Sequence, residues 1–406
     1  MVVTGKQSRS IARSAQAFVA DVTSGFRRVE QRENAARYVL GLMVGEGRKS
    51  LDPIAQRCGW SSGEYHSAQH FLADAPWDWA GVMQRSAERV SPQIDVRAWV
   101  CDDTSFPKSG HGSPGVKRQY CGEKGKRANC QVGVSLHAAG DGALTLPLGW
   151  ALYLPAEWID DPERCERAKI PPGTEFQTKH ELALGLIDAA RSWHIVGAPI
   201  LGDQAYGDSS EFRIGIDERE LTYCLNVSAI AKVYPKDTVF QEPGLRIEGH
   251  GRPRTNWRTQ CASIAISDLA NDVLDEQIVE LVYRTTSDRE LRGLFSFHRV
   301  YAAKPLRNGH SPRQEWLVVQ HPGFGHDDFE YWLSNLPDDA PQIELAELAR
   351  MRWTIELDYK QLKGHLGLNH FEGRSWAGWH KHCALVTVAH AWLTEQRLNP
   401  KAQRPD

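Results

Sequence analysis

Two apolar runs, 96–101 and 198–202, each stop at an aspartate, and between them lies a stretch with helical punctuation. That order constrains the fold more than any other feature of the chain. Short apolar runs bounded by turn formers read as strands buried on both faces, and such strands belong to sheets covered by helices. Thr178 with Glu181 three residues later forms a capping box, which predicts a helix over 178–193. Further strands are expected at 129–138, 143–153 and 222–227, with a helix near 208–219. Acidic side chains at the ends of strands in an α/β sheet commonly face the functional crevice. A single strand-end aspartate is more often a turn former or a helix cap, so the argument needs the pair.

A third element joins them late in the chain. The stretch 350–363, RMRWTIELDYKQLK, places Arg352, Glu356, Lys360 and Lys363 at i, i+4, i+8 and i+11 of a helical pattern, all on one face. Read alone, this is also the pattern of a solvated, salt-bridged stripe. Beside two strand-end aspartates it completes a set of hard oxygen donors suited to Mg²⁺ or Mn²⁺, with cations placed to hold a polyanion.

Composition narrows the class. A chain of 406 residues buries a substantial core and holds two or three structural units. No apolar run is long enough to span a bilayer and the N-terminus lacks a secretory apolar region, so a cytoplasmic globular protein is expected. The eight cysteines are scattered without a C-x-x-C pair or zinc spacing; Cys58, Cys101, Cys121, Cys130, Cys224 and Cys383 read as reduced core thiols. A net charge of −3 at first argues against a nucleic-acid partner. The distribution reverses that inference. Basic residues gather near the N-terminus (Lys6, Arg9, Arg13, Arg27, Arg28, Arg32, Arg37), around the first aspartate (Lys108, Lys117, Arg118, Lys124, Lys126, Arg127) and on the Glu356 helix. Acidic ones gather at 268–276 and 327–347, so one cationic face is compatible with the overall sign.

The pattern divides the chain into a helical, DNA-binding N-terminal region over 1–92, an α/β core over 93–231, a β-rich insertion over 232–340, a helical return to the core over 341–395, and a polar tail over 396–406. Helices are expected at 34–42, 51–59 and 64–73; a Gly turn between short helices suggests a helix-turn-helix-like unit, though the helix after that turn, 64–73, carries no Arg or Lys to read base edges. Within the insertion, 278–286, 293–303, 314–320 and 329–336 alternate with period two and predict antiparallel strands. Trp353, Trp376 and Trp379 suit packing more than base stacking, and the glycine-rich 109–115 lacks the Lys-Ser/Thr of a phosphate loop.

Several segments in order resemble the DDE transposases of the insertion-sequence 4 superfamily, and within it the IS701-like group. CDDTSFPKSG (101–110) is similar to the first-aspartate segment, RQYCGEKGKRANCQVGV (118–134) to the strand after it, LYLPAEWIDDPERC (152–165) to the loop beyond, and GDQAYG (202–207) to the second-aspartate segment. Arg352-x3-Glu356-x6-Lys363, followed by LGLNHFEGRSWAGWHKH (366–382), resembles the closing Tyr-Arg-Glu-Lys signature. The signature's tyrosine falls at Ala349 here.

The resemblance implies a ribonuclease-H-like core interrupted by a β-rich insertion, and an enzyme that binds the terminal inverted repeats of its element, cleaves the DNA ends by phosphodiester hydrolysis and joins the resulting 3′-OH to target DNA. It implies two divalent ions, Mg²⁺ or Mn²⁺, roughly 4 Å apart so as to offset charge on both attacking and leaving oxygens. Asp103 is the expected shared ligand, with Asp203 and Glu356 each completing one coordination sphere. Asp102 is the rival, but alternation along a strand sends neighbouring side chains to opposite faces. Arg352, Lys360 and Lys363, with Lys117, Arg118, Lys124 and Lys126, are expected to meet DNA, and synapsis of two ends implies a homodimer. Three readings compete: a metal-dependent endonuclease without strand transfer, a non-catalytic repressor derived from a transposase, and a small-substrate phosphohydrolase.

Overall fold

The protein is described by a computed structural model covering residues 5–244, 256–286, 289–307 and 309–399. The expected tail from residue 400 onward lies outside the described residues. The chain falls into two compact units: Met1–Arg97, Asp102–Val196 and Thr354–Asp406 make the first; Ala98–Cys101 and Gly197–Trp353 make the second.

In the first unit, five helices lead the chain: α1 (Gly5–Val22), α2 (Val29–Met43), α3 (Leu51–Cys58), α4 (Ser62–Ala73) and α5 (Trp79–Val90). Their boundaries follow from local chemistry. Gly59 terminates α3 in the left-handed conformation at φ 64°, open to glycine without a Cβ penalty, and Ser61 with Glu64 builds a capping box for α4. Then come β1 (Val96–Pro107), which both units share, β2 (Lys117–Cys121), β3 (Lys126–Gly140) and β4 (Thr145–Leu152), with β2 antiparallel to the first part of β3 and β4 antiparallel to the rest. Short helices α6 (Ala156–Ile159) and α7 (Pro162–Arg167) precede α8 (Lys179–Ser192), which opens on the expected Thr178–Glu181 capping box and packs on β3 and β4.

The helix α15 (Trp376–Leu398) is buried on every side, as a helix apolar around its circumference must be, and it packs against α2, α4, α5 and β4. Its few polar side chains are matched individually. Lys381 donates to the Ala75 carbonyl at 2.7 Å, and burial pushes its ammonium down to about 8. His382 lies between the Tyr38 hydroxyl, 2.9 Å from Nδ1, and the Leu368 carbonyl, 3.1 Å from Nε2. The histidines of GWHKH are therefore packing residues. So are the tryptophans: Trp379 meets Phe106 edge-on at 5.6 Å between centroids, and Trp376 lies 4.0 Å from His380.

The second unit takes the Ala98–Cys101 segment of β1 and sets β5 (Ile200–Gly202) beside it in parallel, then β6 (Tyr223–Asn226) parallel to β5, with α9 (Gln204–Gly207) and α10 (Ser210–Asp217) between. β7 (Lys232–Pro235), β8 (Ile264–Ala265), α11 (Ile266–Asn271), β9 (Val279–Thr285), β10 (Glu290–Ala302), α12 (Ala303–Arg307), β11 (Gln314–His321), β12 (Glu330–Ser334) and α13 (Gln342–Met351) complete it. The period-two segments pair antiparallel as expected: β9 with β10, β10 with β11, β11 with β12. What periodicity did not reveal is that β12 returns to pair with β6, Leu333 opposite Leu225, so the β-rich segment extends the parallel strands instead of standing apart. Val227, Val233, Leu317, Val319 and Leu333 form its core. The mixed α/β arrangement accords with a ribonuclease-H-like fold.

Candidate active site

The parallel register of β1 and β5 sets Trp99 opposite Ile200 and Val100 opposite Leu201. Asp103 therefore follows its paired residue by three positions and Asp203 follows its own by two. β5 ends because Asp203 caps α9, its Oδ1 accepting from the amides of Ala205 (2.9 Å) and Tyr206 (3.3 Å). The loop tolerates no bulk at Gly207: a Cβ there would stand 1.8 Å from the Asn226 carbonyl oxygen. This is the physical content of the GDQAYG segment. One carboxylate oxygen of Asp203 is taken by backbone amides, and the other carries no capping bond.

Asp102 and Asp103 behave differently, as alternation requires. Asp102 is buried and its Oδ1 turns back onto the Asp103 amide at 2.7 Å. Asp103, one-fifth exposed, breaks the buried pattern of β1 and forms an ion pair with Lys179 at 2.6 Å. Lys179 is the first residue of α8, so the capping box fixes where this ammonium starts its reach. Its importance was hidden because 76 residues separate the partners.

Glu356 sits exposed in the first turn of α14 (Trp353–Gly364). The cationic stripe is less uniform than helical spacing suggested. α13 ends at Met351 and Arg352 occupies its C-cap, half-buried, so Arg352 precedes the helix that bears the lysines. Lys360 is exposed. Lys363, only 17% exposed, pairs with Glu123 at 2.9 Å and donates to the Ser105 carbonyl at 2.9 Å. Lys117 pairs with Glu157 at 2.7 Å, whereas Arg118, Lys124 and Lys126 are exposed around the β2–β3 turn. Ala349, where the family signature has tyrosine, is buried in α13 beside Leu345 and Leu348, so this position faces the core.

The donor set is all carboxylate oxygen, which suits Mg²⁺ or Mn²⁺. Among the described residues no three His, Cys, Asp or Glu side chains stand together as a closed metal cage. Mg²⁺ is seldom held by such a cage; one or two carboxylates with water and substrate phosphate oxygens are its usual partners, and the accessible Asp103 and Glu356 fit that mode. The counter-charge on Asp103 is an ammonium with 37% exposure, one able to yield to a divalent ion.

The model of the DDE superfamily endonuclease family matches residues 21–286 of this chain, a span that contains Asp103 and Asp203 and stops short of Glu356. The chain belongs to the DDE superfamily of endonucleases. It is also 30% identical over 183 residues to a probable transposase for insertion sequence element IS701 from Microchaete diplosiphon, the aligned stretch covering 44% of this chain and 44% of that protein. No helix among the described residues of this DDE-family chain is long and apolar enough to cross a membrane.

Proposed function

We propose that this chain is a DNA transposase that binds the terminal inverted repeats of its element, cleaves the DNA ends by metal-dependent phosphodiester hydrolysis and joins the 3′-OH ends to target DNA. The observation that carries the reading is the family match over both aspartates, read together with the β1–β5 register that places each just beyond paired strand residues. Asp103, Asp203 and Glu356 would hold two Mg²⁺ or Mn²⁺ ions, which supply a deprotonated water and offset the charge on attacking and leaving oxygens.

The chain's own residues do the rest. Asp103, now paired with Lys179, would contribute its carboxylate to an ion, and the Lys179 ammonium would then be available to a phosphate oxygen. Lys360 and Lys363 on the Glu356 helix, with Arg352, steady phosphates near the scissile bond, and Lys117, Arg118, Lys124 and Lys126 track the backbone further out. Residues 1–92 recognise the element end; 93–231 and 341–395 form the catalytic core around the 232–340 insertion. The enzyme acts as a homodimer on two ends, in the cytoplasm on nucleoid DNA.

The family description covers cleavage alone, which favours a plain endonuclease as the second reading. Purified protein with Mg²⁺ or Mn²⁺ and an element end already terminating in 3′-OH separates the two. Covalent joining to a plasmid, lost in Glu356→Gln, is the expected result. Efficient cleavage with no joined product, both ends and target being supplied, returns the assignment to a nuclease.

A further inference from the structure

Asp358 lies two residues beyond Glu356 on α14, yet its side chain is fully buried. Its Oδ2 meets His137 Nδ1 from β3, and its Oδ1 stands 2.6 Å from His390 Nε2 on α15. Burial opposes ionisation of Asp358, but the His390 and His137 imidazoles beside it hold its carboxyl below the usual carboxylate range. The contacts continue. His137 Nε2 is 3.0 Å from the Ser135 hydroxyl, which shares its face of β3, and Ser135 Oγ is 2.7 Å from the Tyr359 phenol. Ser135 Oγ also donates to the Asp102 carbonyl at 3.4 Å. Either hydroxyl can donate in the Ser135–Tyr359 bond; burial and then the Asp102 carboxylate push the Tyr359 phenol well above its ordinary value, so it keeps its proton.

The peptide between Asp102 and Asp103 is thus tied to β3 through its carbonyl, and its amide is taken up locally. Its carbonyl accepts from Ser135 and its amide donates to Asp102 Oδ1. Because the peptide unit is planar, holding its carbonyl limits the direction in which the Asp103 side chain leaves the strand. A buried carboxylate between imidazoles is weak evidence for stability, since well-packed apolar residues often serve as well. Its continuation to this one peptide is what an apolar core would not provide.

We propose that Asp358, His137, Ser135 and Tyr359 form a positioning relay that ties the Glu356 helix to the peptide bearing Asp103, so that the two carboxylates keep a fixed relation. None of the four touches substrate or metal; they act through Asp103 and Glu356. The proposal rests on the reading of those two residues as metal ligands. Residues supporting the groups that bind a metal typically contribute 10- to 100-fold to metal affinity or activity.

Tyr359→Phe cuts the relay and leaves the Asp358 cluster in place, whereas Ser135→Ala cuts it and also removes the hydroxyl beside His137 Nε2. In the full-length protein Tyr359→Phe should keep the wild-type unfolding midpoint, and both variants should keep the element-end KM while lowering the nicking kcat about tenfold. On DNA-free protein, calorimetric Mn²⁺ affinity should fall about tenfold and amide exchange across residues 102–106 should speed up. Wild-type exchange, Mn²⁺ affinity and kcat in both variants would overturn the relay. Wild-type Mn²⁺ affinity in Glu356→Ala would instead overturn the metal-site reading beneath it.

Discussion

Each unit carries a buried carboxylate behind its proposed metal ligand, and the two are solved oppositely. In the first, Asp358 lies between two imidazoles that favour its ionised form. In the second, Glu315 of β11 accepts from the Tyr223 hydroxyl at 2.8 Å, with Arg213 Nε 3.6 Å away, and burial outweighs both, pushing its carboxyl above the ordinary 4.5. Arg213 also donates to the Gly207 carbonyl at the end of α9, the helix that Asp203 caps. The difference teaches that direct contacts from two sides favour a buried charge more than one guanidinium at a distance does. It also suggests different jobs: the first cluster holds through charge, the second through a backbone tether.

The largest expected effect tests whether both units belong to one site. Asp103→Ala and Glu356→Ala in the first and Asp203→Ala in the second should each reduce Mg²⁺-dependent nicking of a labelled end to background while gel-shift affinity for the end stays largely intact, because each removes a proposed metal ligand. Asp102→Ala should be milder. Near-wild-type nicking by Asp203→Ala would remove the second unit's carboxylate from the chemistry and with it this parallel between the units.

Next comes the contrast between the two buried acids. Asp358→Asn leaves two imidazoles facing a neutral amide and should cost about 3–5 kcal/mol in denaturant unfolding. Glu315→Gln should stay within about 1 kcal/mol, since Gln keeps an acceptor for Tyr223. The pH dependence sharpens this. A carboxyl whose folded pKa is raised contributes stability that is present below its unfolded value near 4.5 and is lost as pH rises through the folded value. Wild type should therefore lose stability relative to Glu315→Gln as pH climbs above 4.5. Parallel curves would mean that burial does not raise the Glu315 carboxyl, and a gain of stability with rising pH would mean that it is held ionised, like Asp358.

What could be read from the chain beforehand follows the range of the interactions. The capping boxes at Ser61 and Thr178, the left-handed Gly59 and the alternating strands are fixed by residues within four positions of one another, and such signals survive in a linear text. Asp103 was distinguishable from Asp102 because pleat alternation is equally local. The pairing of β12 with β6, the Lys179–Asp103 ion pair and the Asp358 cluster join residues far apart; His137 and Asp358 are separated by 221 positions. One signal for the cluster was present: Thr354, Asp358 and Leu362, spaced by four, share the buried stripe of α14, and an acid in such a stripe calls for buried partners. The stripe of three cations around Glu356 is less uniform than its spacing implies for a related reason. Helical spacing gives the face a side chain leaves from, not the acid it finds there, and Lys363 finds Glu123.

The smallest effect separates the cations by that same criterion. Lys360 is exposed on the Glu356 helix, whereas Lys363 already has an anionic partner and a carbonyl. A phosphate contact contributes about 0.9 to the slope of log K against log [salt] on duplex DNA. Lys360→Ala should weaken end binding and flatten the slope by about one unit. Lys363→Ala should flatten it less, because seating a phosphate on that ammonium requires Glu123 to be displaced, and part of the charge lost with the lysine was already neutralised. Arg352→Ala, in the second unit, should lower affinity more than Lys360→Ala if its guanidinium grips phosphate with two bonds. The double variant Lys363→Ala with Glu123→Gln restores the local charge balance and should bind ends within a few-fold of wild type. Equal slopes for wild type and all three single variants would leave the helix a solvated face and confine DNA contact to the β2–β3 turn and the N-terminal helices.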